Sequence, residues 1–177
     1  MKNIEVEIRS FISEEKYQEL LDYFKKEGEF LGEENQETHY FDTKEDLRIQ
    51  KNDNYSKIWM KKGELHDDHR EETEIKFDTD QFGELEKLFL GLGFGVEIKW
   101  FRKRNNFKWK DVDVMIDWTK GYGYIIELEK MSTEEEKDKT LEFLKEKFKE
   151  LNIPLTPKDE FDKKFKDYKE NWRELIK

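Results

Sequence analysis

The sequence predicts an α+β fold in which amphipathic helices cover one face of an antiparallel β-sheet. Four segments repeat apolar residues at the spacing of a helix, and seven others alternate with period two, with a further alternation at 38–41. The alternating segments place charged side chains on one face and apolar side chains on the other. Such a sheet has one apolar surface, which the helices are expected to cover.

Clear end signals bound the first two predicted helices. The first begins after Ser13, a favoured N-cap residue, and extends to about Glu27. The second begins after Asp78 or Asp80 and ends at the glycines of the segment GLGFG. Each carries one apolar stripe, so each is expected to pack on the apolar face of the sheet.

The last two predicted helices are separated by the turn NIPLTP, which contains both prolines of the chain. Thr133 and Glu136 match a capping box at the start of the first of these helices. The second carries aromatic and apolar residues at spacings of three and four over 161–175. The pair, at about 133–177, is expected to pack on the same sheet.

The charged faces of the predicted strands differ in sign along the chain. The strands are predicted at 4–9, 47–50, 57–61, 70–77, 101–109, 112–117 and 125–129, with one more at 38–41. Acids dominate the first and last strands, and bases dominate the middle ones. Two interpretations are open: the charged face is solvated, or the sheet closes and the charges line a wet cavity. In such a cavity, metal cations would neutralise the acids, and a polyanion would neutralise the bases. Crowded charges of this kind need such partners.

Composition limits the class of protein. Of the 177 residues, 45 are Leu, Ile, Val or Phe, which exceeds the roughly 20% typical of disordered chains, so one folded domain spanning 1–177 is expected. The segment MKNIEVEIRS lacks the apolar run of a signal peptide, and no stretch approaches the roughly 20 apolar residues of a membrane span. We therefore expect a cytoplasmic protein without a membrane partner. The net charge of −10 argues against nucleic acid as a partner, and the absence of Cys excludes thiolate chemistry.

Seven short motifs occur along the chain in a recognisable order. They are EVEIR at 5–9, HYFDT at 39–43, LRIQ at 47–50, WMKKG at 59–63, REETE at 70–74, RKRNNF at 102–107 and MIDWTKGYGYIIELE at 115–129. The first resembles the ExExK signature of the CYTH superfamily, the triphosphate tunnel metalloenzymes, with Arg9 in place of the Lys. The others resemble further motifs of that superfamily, although Gln50 replaces the second Arg of its LRIR. The resemblance covers about residues 1–130.

This resemblance implies a closed, antiparallel, eight-stranded β-tunnel with a charged interior that binds a triphosphate and Mg²⁺ or Mn²⁺. The implied activity is hydrolysis of inorganic triphosphate, thiamine triphosphate or a nucleoside triphosphate. A class IV adenylate cyclase that makes cyclic AMP from ATP is the alternative enzyme. A non-catalytic protein that binds polyphosphate or a phosphorylated metabolite is a further alternative. A small-molecule triphosphate is the expected partner, and the protein is expected to be a monomer or a homodimer.

The charged faces supply the candidate site residues. Glu5 and Glu7 lie two residues apart on one strand, which places their carboxylates about 7 Å apart, within reach of one hydrated cation. By resemblance, this pair binds a metal that bridges to the substrate, and Glu127 with Glu129 binds a second metal or orients the attacking water. The acids assigned to metal binding are Glu5, Glu7, Glu72, Glu74, Asp117, Glu127 and Glu129.

The cations on the same faces are expected to bind the polyphosphate, since Arg offers paired donors to phosphate oxygens and Lys offers a point charge. The substrate-binding candidates are Arg9, Arg48, Lys61, Lys76, Arg102 and Arg104. Lys61 is chosen by strand parity, whereas the superfamily motif would select Lys62. The catalytic candidates are Arg9, Glu127 and Glu129. The residues ELHDDH at 64–69 are interpreted as a hairpin loop rather than a metal site.

Overall fold

The computed structural model describes the backbone of residues 4–62 and 71–177, and the side chains of all of these except 61, 62, 71 and 72. Two candidate site residues, Lys61 and Glu72, therefore have no described side chain. The choice between Lys61 and Lys62 lies outside the described side chains, and the segment 64–69 lies outside the described residues. None of the described helices combines the length and apolarity needed to cross a bilayer.

The described part of the chain contains eight strands in one sheet. They are β1 (Ile4–Ile12), β2 (Glu29–Phe41), β3 (Asp46–Lys51), β4 (Ser56–Lys62), β5 (Glu71–Phe77), β6 (Val96–Trp109), β7 (Val112–Thr119) and β8 (Gly123–Ser132). The strands neighbour one another in the order β1-β8-β7-β6-β2-β3-β4-β5. The predicted α+β class with eight antiparallel strands is confirmed. β1 and β5 stand at the ends of this order, so strand pairing within the described ranges does not close the sheet.

The helices agree with the predictions except at some of their starts. They are α1 (Glu14–Glu27), α2 (Phe82–Gly91), α3 (Lys137–Glu150) and α4 (Lys158–Leu175), with a 3₁₀ turn at Thr79–Gln81. Ser13 caps α1, and its hydroxyl accepts a hydrogen bond from the Lys16 N–H at 3.1 Å. The predicted capping box before α3 does not form. The Glu136 N–H instead donates to the Thr133 carbonyl at 3.1 Å, and the helix begins one turn later, at Lys137.

Residue contacts divide the chain into two compact units. The first unit comprises Met1–Glu33 and Lys103–Tyr168, and the second comprises Glu34–Arg102 and Lys169–Lys177. Each is described by itself below. The interpretation of 1–177 as one domain stays a prediction.

The core of the first unit lies on the apolar face of β1, β7 and β8. Ile8, on β1, lies against a core whose members are Tyr17, Leu20, Phe24, Phe107, Trp109, Val112, Val114, Ile116, Ile126, Leu128, Leu144, Phe148, Leu151 and Ile153. Helices α1 and α3 supply the covering side chains, such as Phe24 and Phe148. Each buried side chain of this size contributes about 1.5–3 kcal/mol. This packing fixes the direction of the alternate, charged residues of β1, β7 and β8, which point to the opposite face.

The second unit has its own smaller core, in which α2 covers β3. Phe82 and Phe89 of α2 pack with Phe41 and Ile49. Gly95, just before β6, lies close to this core: its N–H donates to the Asp42 carboxylate at 2.5 Å. A Cβ at that position would come within 2.7 Å of an Asp42 carboxylate oxygen, so a larger residue would force the Asp42 side chain to shift.

His39 is buried in the second unit between two carboxylates. Its Nε2 lies 2.7 Å from Glu37, and its Nδ1 lies 3.1 Å from Glu86. Each carboxylate also pairs with a lysine: Lys51 lies 2.9 Å from Glu37, and Lys99 lies 2.9 Å from Glu86. The hydrogen bond with His39 is the main cause that lowers the pKa of Glu37 to about 2. The network joins β2, β3, β6 and α2, so it stabilises this unit.

We expect Glu37→Gln to destabilise the protein by about 1.5–3 kcal/mol at neutral pH, the usual value of a hydrogen bond to a charged group. Because the folded pKa of Glu37, about 2, lies below the ordinary 4.5, the stabilisation is present above pH 4.5 and is lost as the pH falls through 2. Urea unfolding at pH 7 and pH 2.5 checks this, with the exposed Glu19→Gln as the control. If Glu37→Gln lowered the free energy of unfolding by the same amount at pH 7 and at pH 2.5, the stabilising role of the Glu37 carboxylate would be contradicted.

Candidate functional site

The charged face of the first unit places carboxylates side by side across three strands. Glu7 of β1 pairs in register with Glu129 of β8, and Glu129 pairs with Asp113 of β7. In the next row along β1, Arg9 pairs with Glu127. Side chains directly opposite one another have Cβ atoms about 4.5–5.5 Å apart, and like charges at this spacing repel. The arrangement therefore needs cations.

One cation of the chain is already bound into this face. Arg104 of β6 donates to both carboxylate oxygens of Asp117, at 2.9 and 2.7 Å, and to Glu127 at 3.2 Å. Arg104 is 15% exposed and Asp117 only 3%, so the bidentate pair is largely shielded from water. Its guanidinium is held in one orientation beside these acids of β1, β7 and β8, here called the carboxylate rows. The structure thus brings together Arg104, Asp117 and Glu127, which the sequence analysis selects separately.

The pKa of Glu129 is raised by its surroundings in the carboxylate rows. Its partial burial raises its pKa to about 7, and the nearby carboxylates of Glu5 and Glu127 add to the effect. Glu5 also shares a hydrogen bond with Glu129, which favours a protonated carboxyl. Glu5, Glu7 and Arg9 are exposed, so a ligand from solvent has access to them. A cation that enters here would displace the proton and relieve the repulsion.

The donor chemistry of these rows fits Mg²⁺ or Mn²⁺. Both ions prefer hard oxygen ligands, and Mg²⁺ usually keeps several waters and takes only one or two carboxylates from the protein. Among the described residues, no group of three or more His, Asp or Glu side chains is already arranged around a common point. A hydrated ion held by two carboxylates does not require such a group. Glu5, Glu7 and Glu129 are the residues that would hold it.

Three of the remaining candidate cations have described side chains, and each of these lies in the second unit with a polar partner: Arg48, Lys76 and Arg102. Arg48 makes a bidentate pair with Asp46, at 2.6 Å for both bonds, and its guanidinium carbon lies 4.2 Å from the centre of the Tyr40 ring. Arg102 donates to the Gln36 side chain at 2.7 Å. These contacts orient the guanidinium groups of Arg48 and Arg102.

Glu74 and Lys76, both site candidates, lie next to each other on β5. Lys57 of β4 donates to Glu74 at 2.9 Å, and Lys76 lies 3.8 Å from the same carboxylate. Lys76 is 60% exposed. Two lysines thus neutralise Glu74, which makes it a poorer metal ligand than the acids of the first unit.

Helix α4 differs from the other helices in the face that its first half covers. Phe11 lies on β1 at the parity of Glu7 and Arg9, and therefore on the charged face. Phe161 of α4 stacks on Phe11, with ring centres 4.3 Å apart. Lys164 of α4 lies 4.1 Å from the centre of the Phe11 ring. The apolar stripes predict all four helices on the apolar face of the sheet. The first half of α4 departs from this prediction, because its Phe161 packs on Phe11 at the end of the charged face.

Two contributors to the site are missed by the sequence analysis. Asp113 is absent from the predicted set, although it faces Glu129 in the register and pairs with Lys108 at 3.0 Å. Its parity with Asp117 on β7 is the signal that would have included it. Phe161 of α4 has no comparable signal, because helical periodicity does not say which face of a sheet a helix covers.

A family model described as the CYTH domain matches residues 3–165. The chain belongs to the CYTH family. The resemblance carried by the seven motifs is therefore confirmed. A relative from Methanocaldococcus jannaschii, named "Putative adenylate cyclase MJ0240", is 34% identical over 163 residues, which is 85% of this chain and 90% of the relative.

Solved structures agree with the CYTH assignment. A conserved hypothetical protein from Pyrococcus furiosus has a TM-score of 0.66 at 26% identity, with 85% of this chain and 91% of that chain covered. The PH1012 protein from Pyrococcus horikoshii has a TM-score of 0.65 at 23% identity, with 85% and 92% covered. The CYTH fold thus accounts for the arrangement of strands and helices.

Proposed function

We propose that this CYTH protein is a divalent-metal-dependent enzyme that hydrolyses a triphosphate: inorganic triphosphate, thiamine triphosphate or a nucleoside triphosphate. The proposal is carried by the carboxylate rows of the first unit, in which Glu5, Glu7, Glu127 and Glu129 lie on one face beside an oriented Arg104. A stable protein has no need of such crowded acids. They are useful where a cation and a highly charged anion bind together.

Transfer of a phosphoryl group requires charge neutralisation and an in-line nucleophile, with little covalent chemistry from the protein. Mg²⁺ or Mn²⁺, when bound, would neutralise charge on the phosphate oxygens. Arg104 supplies a fixed guanidinium, because Asp117 holds it by two hydrogen bonds. Arg9 is exposed on the same face and supplies a second guanidinium.

Glu129 and Glu127 have different tasks in this proposal. Glu127 accepts a hydrogen bond from Arg104, and its carboxyl group is assigned to orient the attacking water. Glu129, with a pKa of about 7, holds or releases a proton at its Oε atoms near neutral pH. A group with a pKa near the working pH is the most effective general base or acid. A guanidinium group does not exchange protons at any working pH, so proton transfer is assigned to the carboxyls.

An adenylate cyclase is the second candidate, favoured by the name of the relative that is 34% identical to this chain. In that reaction the ribose 3′-hydroxyl attacks the α-phosphorus of ATP and pyrophosphate leaves. The same cations would bind the triphosphate, and the carboxyls would act on the hydroxyl instead of on water. The two activities therefore differ in nucleophile and in the phosphorus that is attacked.

We expect the purified protein to release phosphate from tripolyphosphate, thiamine triphosphate or ATP in the presence of Mg²⁺ or Mn²⁺, and to lose this activity in excess chelator. Pyrophosphate serves as the control substrate. Cyclic AMP formed from ATP, measured by chromatography, would identify the cyclase instead. A thermal shift with tripolyphosphate and Mg²⁺ but no product from any substrate would identify a non-catalytic binding protein. The absence of both a thermal shift and a product would overturn the proposal.

A further inference from the structure

A column of two cations and two rings runs from β1 to α4 in the first unit. The guanidinium carbon of Arg9 lies 4.8 Å from the centre of the Phe161 ring. Phe161 stacks on Phe11 with ring centres 4.3 Å apart and planes inclined by 26°. On Phe11, the Nζ atom of Lys164 lies 4.1 Å from the ring centre. Each cation therefore has an aromatic face as its neighbour.

The rings of this column are held in place by their surroundings. Phe161 is only 7% exposed. Phe11 also contacts Tyr122, at 5.4 Å between ring centres, and Tyr122 meets Tyr168 of α4 edge to face at 5.6 Å. Phe161 thus connects α4 to the end of β1 directly, and Tyr168 connects it to Phe11 through Tyr122.

The segment that leads into α4 is bonded to β1 next to Phe11. The Ser10 hydroxyl donates to the Pro154 carbonyl at 2.6 Å and accepts from the Thr156 N–H at 2.9 Å. The Thr156 hydroxyl in turn accepts from the Phe11 N–H at 2.9 Å. Because these bonds fix the start of α4 relative to β1, the Phe161 ring has a defined position over the side chain of Arg9.

The Phe161 ring restricts the conformations of the Arg9 side chain. It is exposed, and an exposed Arg loses considerable rotamer freedom when it binds a ligand. A planar guanidinium that stacks on a ring keeps its N–H donors free at its edge, pointing along the ring plane. Arg9 also pairs in register with Glu127 and lies next to Glu7 on the same face. With its guanidinium carbon 4.8 Å from the centre of the Phe161 ring, Arg9 is thus presented to the carboxylate rows in an ordered form.

We propose that Phe161 is a positioning residue for Arg9, which it orders for contact with the anionic substrate of this site. The inference rests on the proposed function in that the anion is taken to be a triphosphate. It also accounts for Arg at a position where the superfamily motif has Lys, since only Arg presents a flat group to the ring. Phe161 itself does not touch the reacting atoms.

A double-mutant cycle tests the coupling. Phe161→Leu removes the aromatic face and keeps an apolar side chain, and Arg9→Gln removes the charge. Calorimetric titration with tripolyphosphate and Mg²⁺ gives the Kd of each variant. A cation–π contact at an exposed site predicts about 2- to 5-fold weaker binding for Phe161→Leu, and no further loss when it is added to Arg9→Gln. Phe161→Tyr, which restores a ring, should restore the wild-type Kd.

Phe148→Leu is the matched control, since Phe148 is a buried phenylalanine of α3 on the apolar face. It should lower the unfolding temperature without changing the Kd. The proposal would be overturned if Phe161→Leu still weakened tripolyphosphate binding in the Arg9→Gln background. It would also be overturned if Phe148→Leu weakened binding to the same extent.

Arginine Nε–Hε NMR spectra separate this inference from the proposed function, because they need no substrate. The Arg9 signal, identified by its loss in Arg9→Gln, should show a ring-current shift that disappears in Phe161→Leu and persists in Phe148→Leu. An Arg9 signal that Phe161→Leu leaves unchanged would overturn the positioning role even if tripolyphosphate is hydrolysed. A shifted Arg9 signal in a protein that neither binds nor hydrolyses any triphosphate would overturn the proposed function, and with it the role of Arg9 toward that anion.

Discussion

Glu127→Gln and Glu129→Gln each reduce triphosphate turnover by about 10²–10⁴-fold, the usual contribution of a positioned acid or base. Glutamine keeps the size of the side chain but neither carries a negative charge nor takes up a proton. The cations remain, so tripolyphosphate should still bind. Single-turnover phosphate release and calorimetric binding, measured on the same preparations, separate the two effects.

Glu142→Gln is the control for this pair, since Glu142 is an exposed acid of α3 paired with Lys145. It should leave turnover and binding unchanged. Turnover that survives in both Glu127→Gln and Glu129→Gln would show that the reaction does not use these carboxyls. Loss of binding together with turnover would instead assign them to holding the substrate, through a metal.

Mg²⁺ should raise the unfolding temperature of the metal-free protein, and more at pH 8 than at pH 6. At 100 times its Kd a ligand stabilises by about 2.7 kcal/mol, or about 5–11 °C for a domain of this size. The pH dependence arises because Glu129, with a pKa of about 7, is largely protonated at pH 6, so the proton competes with the metal. Thermal unfolding in buffers of equal ionic strength measures both quantities.

The metal-free protein should show the opposite trend with pH. The folded pKa of Glu129, about 7, lies above the ordinary 4.5, so the folded state holds more protons between these values. Stability is therefore highest below pH 4.5 as far as this group is concerned, and it is lost as the pH rises through 7. Glu129→Gln should remove most of this slope and most of the Mg²⁺ effect. An equal Mg²⁺ shift at both pH values would contradict the assignment of Glu129.

The charged face of the first unit was predictable because strand alternation is a strong local signal. Two residues at i and i+2 point the same way whatever the rest of the fold does, which places Glu5 beside Glu7 and Glu127 beside Glu129. The register between strands was not predictable in this way. Only the structure shows that Glu7 faces Glu129, so the raised pKa of Glu129 was beyond the reach of the sequence.

The predicted strands were shortest where the composition is least typical of strands. Residues 29–37 belong to β2, yet the segment EFLGEENQE contains one glycine and four glutamates, which are poor strand formers. Its strand conformation depends on pairing with neighbours, which a single sequence does not show. The side on which α4 lies is a similar case, because the aromatic stripe of 161–175 indicates a buried helix face without naming its partner.

Some pairings of the second unit do have a local signal in the sequence. Asp46 and Arg48 stand two apart on β3, and their bidentate pair follows from that spacing. Glu37 and His39 stand two apart on β2 in the same way. Acid and base at i and i+2 of a strand are therefore worth examining as ion pairs before each is assigned to a ligand.

The most direct test of the central claim is a titration of the metal-free protein with Mn²⁺, followed by electron paramagnetic resonance of the free ion. The carboxylate rows predict a bound Mn²⁺ whose affinity falls at least about 10-fold in the double variant Glu5→Gln, Glu7→Gln, and does not fall in Glu142→Gln. Addition of tripolyphosphate should tighten Mn²⁺ binding in the wild-type protein. Mn²⁺ binding that is absent, or that is unaffected by loss of Glu5 and Glu7, would contradict the claim.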